Sequence, residues 1–353
     1  GASMNKFTLV LFLSCFIAVA EDKKEVALGG FVDGYYAFDF NEPTGDRNFT
    51  TQALRHNEFN LNLAYVAAKI QKSKVHGRLA LQAGTSVYAN YSGESRYGTA
   101  SQLADLMRHV QEAYGGYQFA ENLWIDAGIF FSHMGSESFI SKDNWNYTRS
   151  LAAEYSPYYQ TGVRATYQID SKWSAQLQVM NGWQNIIETN SDKAIGMQVS
   201  YAPSDEFSVT YNNFIGREIE FRMLHDLIFK WQASKSLSLC LTSDLGMQTK
   251  PDRTGNFSWF SETLTTRLAI TERVFLGGRL EYFQDKDQVL IVTGTPEGFQ
   301  TFGASLNLDW EPEPGILFRN EVRTLASKDA VFNGKNGTAT GNTIAVTSLA
   351  LSF

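Results

Sequence analysis

Two stretches of the 353-residue chain concentrate charge at a telling spacing. In Arg279-Leu280-Glu281 and Arg319-Asn320-Glu321-Val322-Arg323, ionisable groups recur every second residue. Two is the repeat of an extended strand, so each set projects from one face. Guanidinium and carboxylate groups opposed across a water-filled space create a transverse field, which orients dipolar solutes and sets ion preference. The same parity in neighbouring segments adds Arg78, Asp126, Arg164, Arg222, Asp244 and Arg267 as candidate lining residues. Arginine outnumbers acid in this set, which points to a weak anion preference.

Catalytic chemistry finds little support. The five histidines are His56, His76, His109, His133 and His225. None sits in an H-E-x-x-H pair, and the chain has no G-x-S-x-G elbow. His133 beside Ser132 and Ser136 is the one cluster that could pair a nucleophile with a base. A lone histidine near a strand end is more often inert. No close His/Cys/Asp set suggests a metal, and the glycine stretches lack the strand–G-x-G-x-x-G–helix context of a dinucleotide site. No catalytic residue, metal or cofactor is expected. The net charge of −7 argues against a nucleic-acid partner.

The elements that would carry the charges are strands. Apolar and polar residues alternate almost everywhere after residue 27, as in Leu237, Leu239 and Leu241 against Ser238 and Thr242. The alternating segments run about ten to fourteen residues, longer than the ~5–6 usual in soluble sheets. Short polar turns fall near 71–74, 120–122, 170–172, 203–205, 233–235, 271–272 and 311–314. Between them lie longer loops around 41–56, 90–105, 134–149, 184–192, 216–220, 248–256, 287–298 and 328–340. That alternation is expected of an all-β transmembrane antiparallel barrel with short periplasmic turns, long outer loops and an apolar exterior. The count gives sixteen strands, with 14–18 compatible, and both termini on the periplasmic side.

Aromatic placement gives an independent argument. Phe119, Tyr167, Trp173 and Tyr201 fall on the apolar parity close to a short turn or the C-terminus. So do Phe207, Trp231, Trp310 and Phe353. Rings gathered at one depth form an interfacial girdle. The N-terminus agrees with export. Gly1 to Ser3 read as a cloning remnant. Residues 4–20 read as a signal peptide ending at Ala18-Val19-Ala20, and 21–26 as a periplasmic segment before a barrel over 27–353. Cys15 lacks the small-residue context of a lipoprotein, so Cys240 alone remains after cleavage.

Sixteen strands leave an aqueous lumen, and passive diffusion of small hydrophilic solutes or ions is the expected function. The third outer loop, 134–152, is the most irregular stretch. If folded inward it would offer Glu137, Lys142, Asp143 and Arg149 as candidate constriction groups, although spacing does not decide its path. The alternatives are a substrate-specific channel, or an outer-membrane enzyme or adhesin on a barrel scaffold.

Several stretches carry a specific resemblance. They include GGFVDGYYAFDFNEP (29–43), VQEAYGGYQF (110–119), LWIDAGIFFSHMGSES (123–138), KDNWNYTRSLA (142–152), YYQTGVRATYQ (158–168) and VMNGWQN (179–185). In this order they resemble the OmpL-like family of β-barrel porins. The likeness covers roughly the first half of the mature chain, the second half sharing only barrel patterning. It implies a pore in the outer membrane of a Gram-negative bacterium, in contact with lipid and lipopolysaccharide. General porins of this size often associate, so a homotrimer is a further expectation. The tail TSLALSF separately resembles the C-terminal strand signal read by the barrel-assembly machinery, with Phe353 as its last residue.

Overall fold

A computed structural model describes residues 25–94 and 99–353. The expected cloning remnant, signal peptide and Cys15 lie outside the described residues. The chain begins with β1 (Glu25–Asp39), β2 (Phe59–Lys72) and β3 (Val75–Ala83). Helices α1 (Thr85–Asn90) and α2 (Thr99–Met107) lead to β4 (Val110–Ala120) and β5 (Leu123–Phe131). The next connection holds a 3-10 turn, Ser141–Asp143, and α3 (Leu151–Glu154). Then come β6 (Tyr159–Gln168), β7 (Trp173–Met180), β8 (Ala194–Ser204) and β9 (Phe207–Arg217). They are followed by β10 (Phe221–Gln232), β11 (Leu237–Thr249), β12 (Asn256–Ala269) and β13 (Val274–Asp285). The last part holds β14 (Phe299–Trp310), β15 (Ile316–Ser327), a small hairpin of β16 (Phe332–Gly334) and β17 (Gly337–Ala339), and β18 (Gly341–Ser352).

Apart from that hairpin, each strand pairs antiparallel with its neighbours, and β18 returns to β1. The result is a closed barrel of sixteen strands. The seven expected short turns and eight longer loops all fall between the strands they were assigned to. The first strand is described from Glu25 onward. No described helix is long and apolar enough to cross a membrane.

Alternation produces the two-sided wall. Along β11, Leu241 and Leu245 turn outward, while Ser238, Thr242 and Asp244 are buried inside. The turns use side-chain oxygens to hold backbone donors. Asp170 Oδ1 accepts from the N–H groups of Lys172 and Trp173 at 2.7 and 2.8 Å. Thr271 Oγ1 does the same for Arg273 and Val274. Such Asx- and Ser/Thr-type turns reverse the chain in two or three residues.

The eight aromatics expected near the short turns face outward there; Trp173 and Tyr201, for example, pack at 4.4 Å. A second set at the other end of the wall includes exposed Phe40, Phe59, Phe221 and Phe302. These residues adjoin the loops of the outer end, which vary in length and obscured that set in the sequence.

At the seam the two ends of the barrel bond to each other. Gly30 N–H donates to the Phe353 carbonyl at 2.8 Å, and Phe353 N–H donates back at 3.1 Å. A Cβ on Gly30 would lie 2.4 Å from Cζ of Phe353, so the ring rests directly on the glycine. Gly30→Val should therefore reduce the fraction of heat-modifiable, folded barrel on gels. Gly45→Val, where a Cβ meets nothing within 4 Å, should not. Equal folded yields for both variants would contradict this account of the seam.

Candidate functional site

The segment 132–158, between β5 and β6, turns into the barrel. Its backbone polar groups need partners there, and the inner wall supplies them. At the β10–β11 side, Gly135 N–H donates to Asp226 at 2.7 Å, and the Ser136 and Thr242 hydroxyls lie 2.6 Å apart. At β1, the Ser141 hydroxyl donates to Asp33 at 2.7 Å. At β15, Arg319 donates to the carbonyls of Ser141 (2.5 Å) and Asn144 (2.6 Å), while Asp309 holds the guanidinium at 2.7 Å. Glu321 accepts from Thr148 N–H at 2.6 Å and from its hydroxyl at 2.8 Å. Glu281 accepts from Leu151 N–H at 2.6 Å. The segment is thus held from both sides of the lumen.

Apolar packing seats it further. Phe139 and Ile140 join Phe31 and Leu63, and Tyr147 joins Tyr35 and Ile344. Met134 and Leu151 meet Phe214, Leu224, Trp259 and Phe283. Each fully buried side chain of this kind contributes roughly 1.5–3 kcal/mol. Gly277 allows the closest approach, since a Cβ there would lie 2.2 Å from the Trp145 carbonyl oxygen. The inward faces of several strands are therefore apolar at their outer ends, where alternation alone predicts polar residues and places most aromatics outside. The signal was present: Leu224, Trp259, Phe283 and Leu325 lie on the inward parity.

This arrangement changes the reading of the charge clusters. Arg279, Glu281, Arg319, Glu321 and Arg323 do face inward, but each is at most 2% exposed. They share one wall, β13 to β15, and lie beneath the segment instead of opposing one another across open water. Arg279 bonds the Thr148 carbonyl at 2.6 Å and Ser305 at 2.9 Å, with Glu281 and Glu321 each at 3.3 Å. Arg323 is paired to Glu281 at 2.7 Å.

Within the segment, the four candidate constriction groups separate. Arg149 is fully buried, lying 3.5 Å over the Tyr158 ring and bonded to Thr51, Asn90 and Glu154, so it is an internal tie. Glu137 is engaged by Ser150 and by Arg279. Lys142 and Asp143 pair at 2.7 Å and keep solvent access.

The remaining candidates occupy other parts of the inner wall. Arg164 pairs with Asp126 at 2.9 Å, Asp126 also meets His76, and Arg78 pairs with Glu112. Arg222 bonds Gln248 near the outer end, and Arg267 approaches Glu311 at the turn end. Asp244 lies opposite Asp226 in register and accepts from Ser261 at 3.1 Å. Sequence reasoning missed Asp33, Glu112, Asp226 and Asp309, although all share the inward parity of their strands. His133 does not pair with Ser132 or Ser136: it is buried against Gln160, Gln178 and the Asn213 carbonyl. Among the described residues, no group of three or more His, Cys, Asp or Glu converges to hold a metal.

Comparison with solved structures finds the same architecture. The outer membrane channel DcaP of Acinetobacter baumannii is 11% identical, with TM-score 0.61, covering 94% of this chain and 97% of its own. The anion-selective porin from Comamonas acidovorans is 9% identical, with TM-score 0.62, covering 94% and 100%. The in-vitro folded trimer form of OmpT from Vibrio cholerae is 7% identical, with TM-score 0.61, covering 94% and 100%. At these identities the likeness is one of fold. No curated protein matches the chain. The family described as "Putative beta-barrel porin-2, OmpL-like" matches residues 25–353, so the likeness extends through the second half as well as the first. The chain belongs to this family of β-barrel porins.

Proposed function

We propose that solutes pass between the inward-folded segment 132–158 and the wall opposite its anchors, and that this segment sets the bore. The chain is an outer-membrane channel for diffusion; the finer reading concerns its narrowing and its charge. The observation that carries it is the set of backbone bonds made to the segment by Arg319, Glu321 and Glu281 from one side and Asp226 from the other.

The eleven inward candidates then divide by task. Arg279, Glu281, Arg319 and Glu321 hold the segment, and Arg323 braces Glu281. Arg78, Asp126, Arg164, Arg222, Asp244 and Arg267 line the wall. The guanidinium side is the more accessible in the two pairs of the β3–β6 wall: Arg78 is 13% exposed against 4% for Glu112, and Arg164 17% against 5% for Asp126. Solutes would meet positive charge first, which supports a preference for anions. The anion-selective porin of similar fold is consistent with this reading.

Export by the 4–20 leader, periplasmic termini, the aromatic girdle at the lipid interface and contact with lipopolysaccharide complete the proposal. So do recognition of Phe353 by the barrel-assembly machinery and association as a homotrimer, the form recorded for OmpT.

Planar-bilayer recordings test the channel and its narrowing together. Wild-type protein should conduct, and a folded barrel that never conducts at any voltage would sink the reading. The double variant Arg319→Ala/Glu321→Ala removes two ties to the segment. Removing one partner of a buried pair costs about 3–5 kcal/mol, enough to loosen the segment where it meets this wall and so raise single-channel conductance. Unchanged conductance in folded variant barrels would show that these ties do not set the bore. In a salt gradient, wild-type reversal potentials should favour anions, and Arg78→Glu/Arg164→Glu should move them toward cations. A cation-preferring wild type would refute the charge assignment.

A further inference from the structure

Between its two rims the outward wall is mostly apolar or aromatic, its uncharged polar exceptions including Asn320 and Thr347, which hydrogen-bond to each other across β15 and β18. Among the described residues, Glu262 on β12 is the one carboxylate at an outward position away from the strand ends, and His225 on β10 is the one imidazole. Glu262 is exposed, with Phe260 and Leu264 beside it on the same face. One of its oxygens accepts from the Ser243 hydroxyl at 2.6 Å, and no described Lys, Arg or His forms an ion pair with it. His225 Nδ1 meets the Tyr211 hydroxyl at 2.7 Å.

Register places both residues at mid-depth. His225 lies opposite Leu245, which lies opposite Phe260, and Ser243 lies opposite Glu262. Along β10, His225 falls between outward Phe221 toward the outer rim and outward Trp231 toward the turns. A carboxylate facing hydrocarbon is most disfavoured near the midplane, and a lipid headgroup does not reach that depth. Protein contact removes the conflict.

We infer that the outward face of β9 to β12 is a contact surface for a second copy of this chain, joining Glu262 of one copy to the partner subunit's His225. The reading rests on the outer-membrane placement of the barrel. The choice of partner comes from the face itself, which carries both halves of a complementary pair. With β11 between them, β10 and β12 are about 10 Å apart at ~4.8 Å per strand, so the two groups do not meet within one chain. When copies pack around a rotation axis, the β12 side of one faces the β9–β10 side of the next. Unlike groups then meet while like groups stay apart, and Leu227, Leu245 and Met223 fill the space around them.

A double variant, His225→Cys/Glu262→Cys, tests the contact by oxidation in outer-membrane vesicles and non-reducing electrophoresis. An internal disulfide is excluded, because bridged Cα atoms lie within about 7 Å, and Cys240 is buried and faces inward. The double variant should cross-link into a closed set of copies, and each single variant should stay largely monomeric. In parallel, Glu262→Leu should lose the native oligomer in mild detergent while remaining heat-modifiable. Absence of cross-links in the double variant, links to other proteins only, or equal linking by the single variants would overturn the proposal. Bilayer recordings on the same preparations separate the two readings: conducting barrels that never cross-link reject the contact surface alone, and a wild type that never conducts rejects the channel.

Discussion

In hydrocarbon a backbone N–H or C=O has no partner except another peptide group, and this constraint organises the whole molecule. A sheet with two edges would leave a row of unmet groups facing lipid, so the sheet must close. Here the cost is avoided by pairing β18 with β1 over Phe31 to Asp39 and by the reciprocal bonds of Gly30 and Phe353. The short turns lie beyond the apolar wall, where side chains and water are both available as partners. Asp170, Ser234 and Thr271 each supply such a partner to the reversing backbone.

The rule applies again inside. Segment 132–158 carries irregular backbone into the lumen, where its N–H and C=O groups must be met by side chains. Charged acceptors and donors make the strongest such bonds, which explains why the inner wall at β13 to β15 is dense in Arg and Glu. These pairs are poor sources of net stability, because desolvation offsets most of their attraction. Their value is positional. Arg319 and Glu321 fix where the segment lies, and apolar groups such as Phe139, Ile140 and Leu151 supply the driving force for its burial.

The wall is therefore not uniform. At the outer end, inward Trp259, Phe283, Phe299 and Leu325 form a packed interior with the loops, much as in a soluble domain. Across β3 to β6, ion pairs keep their guanidinium ends partly open to water. On the outside most mid-depth positions are apolar, and Glu262 and His225 stand out there as ionisable groups. Three environments on one sheet follow from what each face touches: loop, water or lipid.

The barrel was legible because its cause is periodic. A two-residue repeat, turn residues every hairpin and aromatics near most short turns are local signals, and they sufficed for architecture, strand count and the parity of Arg78, Arg164, Arg279 and Arg319. The tie between Thr148 and Glu321, 173 residues apart, has no such signal. Neither does the burial of Arg149, whose partners Thr51 and Asn90 lie on other loops. Alternation is a property of the chain, so the face that each strand residue occupies could be read from residue order. What that face meets is a property of the fold, because an irregular loop finds its place through contacts between residues far apart in the chain.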